Sequence, residues 1–194
     1  MALLPPDVRE ALKRQVPKVV KQPLTKEVKK EFKRIKAEMI KEFLQLPVTQ
    51  EILQGPYGSN ISGTLSGATN LFAFIGFDRG DQPILPILSR FEAVNIQYKK
   101  ALKRKAIGAE YYVNLPTPDE IFALTPLPWA AGRSWAQGIE RGISGLGFLL
   151  RKNNKGRSGA AIQTRVKVRG GKFKNVPYMS AFLNKYKKRF EQLK

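Results

Sequence analysis

Four acids lie close enough along the chain to share a proton or a metal ion: Asp78 with Asp81, and Asp119 beside Glu120. Paired carboxylates are what acid–base or metal-assisted chemistry would use. Their neighbours point to plainer work. Asp78 and Asp81 bracket Arg79-Gly80, a turn sequence, and Asp119-Glu120 follows Pro118, where the first turn of a helix favours acidic side chains. The 194 residues contain neither cysteine nor histidine. That removes disulfides, thiolate and imidazole metal sites, and every Ser–His or Cys–His nucleophile. No phosphate-binding loop, dinucleotide fingerprint or nucleophile elbow is present. Asn60-Ile61-Ser62 fits a glycosylation sequon and Arg79-Gly80-Asp81 an adhesion tripeptide, but both are short chance-level matches within turn sequence. The sequence predicts no catalytic residue, no metal and no cofactor, hence no enzyme.

What the chain offers instead is cationic charge. Thirty-five basic and 15 acidic residues give a net +20, and an excess of that size calls for a polyanion or an acidic protein partner. Lys99, Lys100, Lys103, Arg104 and Lys105 cluster without an acid among them. From Arg151 onward fourteen basic residues face the single Glu191, a net +13. Arg151, Lys152, Lys155 and Arg157 fall in and before the Asn153–Gly159 loop, and Arg165, Lys167 and Arg169 alternate with Ile162, Thr164, Val166 and Val168 on a mainly apolar face. These twelve cations are the predicted nucleic-acid or partner contacts. No zinc finger, RRM aromatic motif or GXXG clamp accompanies them, so contact with nucleic acid would be with phosphate and indifferent to base sequence.

The elements that must position this charge start with a long helix. Leu24, Val28, Phe32, Ile35, Met39, Phe43 and Leu46 recur at spacings of three and four, one helical face. Thr25 is a suitable N-cap and Pro47 a stop. The like-charge pairs Glu27–Glu31 and Glu38–Glu42 are offset by neighbouring lysines. Residues 1–22 carry Pro5, Pro6 and Pro17, and with Pro23 these predict a separate arm with at most a short helix over 7–15. Residues 47–70 are turn-rich, and Asn70–Phe77 predicts a strand buried on both faces. Pro83–Ser89 reads as a connector. A basic hairpin is expected over about 91–115, followed by a Pro-rich insert over about 116–141 that holds a helical turn after Pro118 and a short helix from Ser134. Strands are expected at 145–151 and 161–169 around the 153–159 loop. Pro177–Leu193 closes the chain as a helix with Tyr178, Phe182, Tyr186, Phe190 and Leu193 in one stripe. The expected architecture is α+β: a long and a C-terminal amphipathic helix packed on a small antiparallel sheet, forming one domain over 23–194. No run approaches the roughly 20 apolar residues of a membrane span, and the N-terminus shows no secretory leader, so a soluble chain with nothing cleaved is expected.

With its long basic helix, its Gly/Ser-rich link carrying Gly63-Thr64-Leu65, the stretch NISGTLSGATNLFAFIGFDRGDQPILPI and the late NVPYMSAFLNKYKKRF, the chain resembles the tail completion, or head–tail joining, proteins of tailed bacteriophages, HK97-like. The likeness covers roughly residues 24–110 and 158–193; the Pro-rich insert departs from it. It implies a long helix on a small antiparallel sheet and a homo-oligomeric ring in the virion neck, assembled in the host cytoplasm between the head connector and the tail. Neighbouring connector and tail proteins, and packaged DNA, would then meet the basic surface.

Overall fold

The structure, a computed structural model, describes residues 6–65, 70–101, 109–128, 130–141 and 175–193, with side chains from residue 26 onward except at 100, 101, 109 and 131. The chain is α+β, as expected. Helix α1 runs Pro6–Gln45 and α2 runs Pro47–Leu53, followed by one 3-10 turn, Gly55–Tyr57. After α3 (Leu71–Ile75) and α4 (Leu85–Glu92) comes a hairpin of β1 (Ile96–Ala101) and β2 (Ala109–Val113). Helix α5 (Pro118–Ala123), a short ladder of β3 (Pro126–Leu127) and β4 (Ala130–Ser134), α6 (Trp135–Arg141) and α7 (Met179–Glu191) complete the order.

The end of α1 follows from sequence: Leu46, forced out of the helical region by Pro47, sits at φ −59, ψ 134. Its start does not. The helix passes through Pro17 and Pro23 to Pro6, which corrects the expectation of a chopped arm and of a cap at Thr25. Each proline removes one ladder donor, but propagation from an established helix needs only one new residue at a time, without a new nucleus.

Three further expectations are corrected in this half. Pro47–Leu53 is helix, because Pro47 occupies its first turn, where the missing N–H leaves nothing unsatisfied. Asn70–Phe77 is not a strand but the capped helix α3. The Asn70 Oδ1 accepts from the Ala73 N–H at 2.9 Å, and Gly76 ends the helix at φ 89, in the left-handed region. The Phe77 N–H reaches the Phe72 carbonyl and the Gly76 N–H the Ala73 carbonyl, both at 3.2 Å, while the Phe72 and Phe77 rings lie 5.3 Å apart. That is the Schellman closure with its apolar contact. Within α3 only Leu71, Phe72 and Ile75 are buried, and Phe74 is half-buried. The Pro83–Ser89 connector instead enters α4, with Pro86 in its first turn.

The Asp78–Asp81 turn forms as expected, the Asp78 N–H donating to Asp81 Oδ2 at 2.8 Å. So does the hairpin, Ile96 facing Val113 and Tyr98 facing Tyr111 in antiparallel register, but its first strand begins at Ile96 rather than Phe91, because Phe91 and Glu92 still belong to α4, where Phe91 is buried. Thr117 caps α5 by accepting from the Glu120 N–H at 3.3 Å, and Ser134 accepts from the Gln137 N–H at 3.0 Å at the start of α6. The strands expected at 145–151 and 161–169, with their loop, lie outside the described residues.

The core joins helices from both ends of the chain. Phe43 of α1 meets Phe91 of α4 edge-on at 5.0 Å, and Phe182 of α7 lies 5.6 Å from Phe91 and 6.0 Å from Phe43. Trp135, Ile139, Ile121 and Met179 fill the side toward α5 and α6, all at most 1% exposed. Helix α7 lies antiparallel to α1, as Phe32 meets Phe190 at 5.5 Å while Phe43 meets Phe182.

Candidate polyanion and partner interface

At 3.6 residues per turn, α1 sorts its charges lengthwise. Glu27, Glu31, Glu38 and Glu42 fall on one flank of the apolar stripe, and Lys26, Lys29, Lys33 and Lys36 on the other. The acidic flank faces α7. The Lys185 ammonium donates to both Glu42 carboxylate oxygens at 2.7 Å, and the Tyr186 hydroxyl donates to Glu42 at 2.8 Å. Arg189 donates to Glu38 at 2.5 Å. Within α1, Arg34 reaches Glu31 at 2.5 Å and also Glu38.

The electrostatics follow from these contacts. The Arg34 guanidinium beside Glu31 holds that carboxyl below the usual range. Arg189, then Arg34, does the same for Glu38 against a burial cost. Burial pushes Glu42 up, yet Lys185 and Tyr186 together draw it below its ordinary value. Burial, then the Glu42 carboxylate, pushes the Tyr186 hydroxyl up to about 12. The seam thus answers the Glu38–Glu42 repulsion mainly with α7 cations rather than with lysines of α1, the partners expected from sequence.

The opposite flank is pinned at one point. The Lys36 ammonium donates to the Glu92 carbonyl at 2.6 Å and to the Val94 carbonyl at 2.9 Å, where α4 gives way to β1. Lys26, Lys29, Lys30 and Lys33 are exposed.

Of the predicted contact residues, Lys99 is exposed on β1 and donates to Glu110 of β2 at 3.0 Å. Lys100 pairs across the hairpin with Glu110 through its backbone register. Lys103, Arg104, Lys105, Arg151, Lys152, Lys155, Arg157, Arg165, Lys167 and Arg169 lie outside the described residues. The α1 flank was visible only as a wet face. The i,i+4 pair Lys185/Arg189 matching the i,i+4 pair Glu38/Glu42 was the signal that would have divided it.

The acids considered for chemistry have local partners. Glu120 pairs with Arg90 at 3.0 Å, and Asp81 closes its own turn. Among the described residues no three His, Cys, Asp or Glu side chains gather as a metal site would require. An apolar hollow of about 350 Å³ between α2, α3 and α4, lined by Leu44, Ile52, Phe72, Ile84 and Leu88, has Asp81 as its one ionisable lining residue. The fully buried Glu51 carboxylate accepts from the Leu71 N–H at 2.7 Å and the Ser62 N–H at 2.9 Å, tying both residues to α2. Burial raises the Tyr178 hydroxyl, which is hydrogen-bonded with Thr49 at 2.9 Å. Glu140 of α6 accepts from the Ser180 N–H and hydroxyl, both at 2.6 Å, and so caps α7. No helix among the described residues is long and apolar enough to cross a membrane. No known protein family, curated protein or solved structure matches the chain.

Proposed function

We propose that the chain is a structural subunit of a tailed-phage neck, of the tail completion class, which forms a homo-oligomeric ring between head connector and tail. It works by contact with its neighbours and not by catalysis. The observation that carries this reading is the length of α1. Forty helical residues span about 60 Å, roughly twice the breadth of a small domain, and a helix of that length can reach past the body it packs on. An overhanging helix gives one subunit a means of holding the next around a closed ring. Negative-stain imaging of the purified protein, alone and with tail-tube extract, tests it: closed rings or capped tube ends are expected, and lone particles that ignore the tubes would overturn it.

A second reading, a sequence-indifferent nucleic-acid-binding protein, is favoured by the net +20 together with the lysine flank of α1. It predicts salt-sensitive binding by the isolated chain, with or without rings.

A further inference from the structure

The charge sorting along α1 leaves an unusual strip. Lys26, Lys29, Lys30 and Lys33 are exposed over two helical turns, and among the described residues none of the four has a hydrogen-bond or ion-pair partner. The acids that would normally offset them through i,i+3 or i,i+4 pairs lie mainly on the far flank, where Arg34, Lys185 and Arg189 occupy Glu31, Glu38 and Glu42. Glu27 borders the strip on that side, and exposed Glu92 marks its other end, where Lys36 is already bound to backbone carbonyls. Lys99 of the hairpin, by contrast, is paired with Glu110.

We infer that this strip, Lys26, Lys29 and Lys33 with Lys30 at its edge, is a docking surface for the phosphate backbone of duplex nucleic acid. The strip is about 10 Å long, and its four flexible lysine stems carry enough charge to neutralise about three phosphates of a duplex. Its composition argues against an acidic protein face and against a single strand. Protein interfaces are depleted of lysine and centred on apolar or aromatic side chains, but every large exposed hydrophobic residue described lies off α1, at Leu53, Tyr57, Ile61, Leu85, Tyr98, Tyr112 and Leu124. Single strands are held by aromatic stacking as well as charge, and the strip has no aromatic. Four flexible point charges without a bidentate arginine fork suit a uniform phosphate array and read no base.

This deepens the second reading by naming its surface, and it holds whether or not the chain forms rings. The test is fluorescence anisotropy of a labelled 20-base-pair mixed-sequence DNA duplex with the full chain, from 50 to 200 mM salt. K26Q/K29Q/K33Q is compared with K41Q/K187Q/K188Q, which removes the same charge from exposed lysines elsewhere. Circular dichroism melting confirms that both variants are folded. The strip variant should flatten the dependence of log K on log salt by about 3 and weaken binding at 50 mM salt at least about tenfold. The control variant should change the slope by less than 1, and a scrambled duplex should bind equally well. Equal effects of the two variants would show binding to net charge alone and overturn the surface while leaving the second reading intact. No duplex binding by the wild type would overturn both.

Discussion

Glu51→Ala is the change whose cost the structure fixes best. The side chain is fully buried, and its two oxygens take two backbone donors twenty and eleven residues away, at 2.7 and 2.9 Å. Alanine leaves both N–H groups facing an apolar gap. A buried donor deprived of its partner costs about 1–3 kcal/mol, so the pair should cost about 2–6 kcal/mol, with a cavity contribution on top. Glu51→Gln keeps one acceptor oxygen and turns an amide toward the other donor, so it should lose about half as much. Urea denaturation gives both values, and amide exchange locates them: Leu71 and Ser62 should lose protection first in the alanine variant, before the α1–α7 seam. Stability within about 0.5 kcal/mol of wild type for both variants, or unchanged protection at the two amides, would refute the reasoning.

Phe72→Ala should cost about 3–5 kcal/mol and the half-buried Phe74→Ala less than half of that, read from urea midpoints; equal costs would restore a two-faced strand for this segment. Because the Glu31, Glu38 and Glu42 carboxyls sit below their ordinary values, their contribution is present above about pH 4.3 and is lost as pH falls through the lowered values. Thermal melts should therefore steepen toward acid, and Glu38→Gln should flatten that limb. Tyr186 carries the opposite sign. Its raised hydroxyl, near 12, contributes fully below about pH 10 and is lost as pH climbs toward 12, a loss that Tyr186→Phe should remove from the alkaline melt.

Where local rules agreed with packing, the sequence could be read directly. The Phe32–Phe43 face of α1, the Ile96–Val113 hairpin, the helix starts after Pro118 and at Ser134 and the Tyr178–Phe190 stripe each announce themselves within a few residues. Asn70–Phe77 misled because five helical residues are too short to display a period, and their phenylalanines resemble strand composition; the cap at Asn70 and the stop at Gly76 were the better signal. Prolines 17 and 23 are local breakers, and no local rule foretells a helix that continues through them. The division of α1 into acidic and lysine flanks needed the position of α7, a contact separated by some 150 residues, which periodicity alone does not contain. Most of the predicted basic contacts fall outside the described residues, so the lysine strip came from the fold.

Sedimentation velocity of the full chain, free of nucleic acid and at moderate salt, bears most directly on the claim that this protein works by being held among copies of itself. The account predicts one discrete oligomer of several subunits that persists on dilution into the low micromolar range. A monomer at every concentration, with or without tail-tube extract, would contradict it.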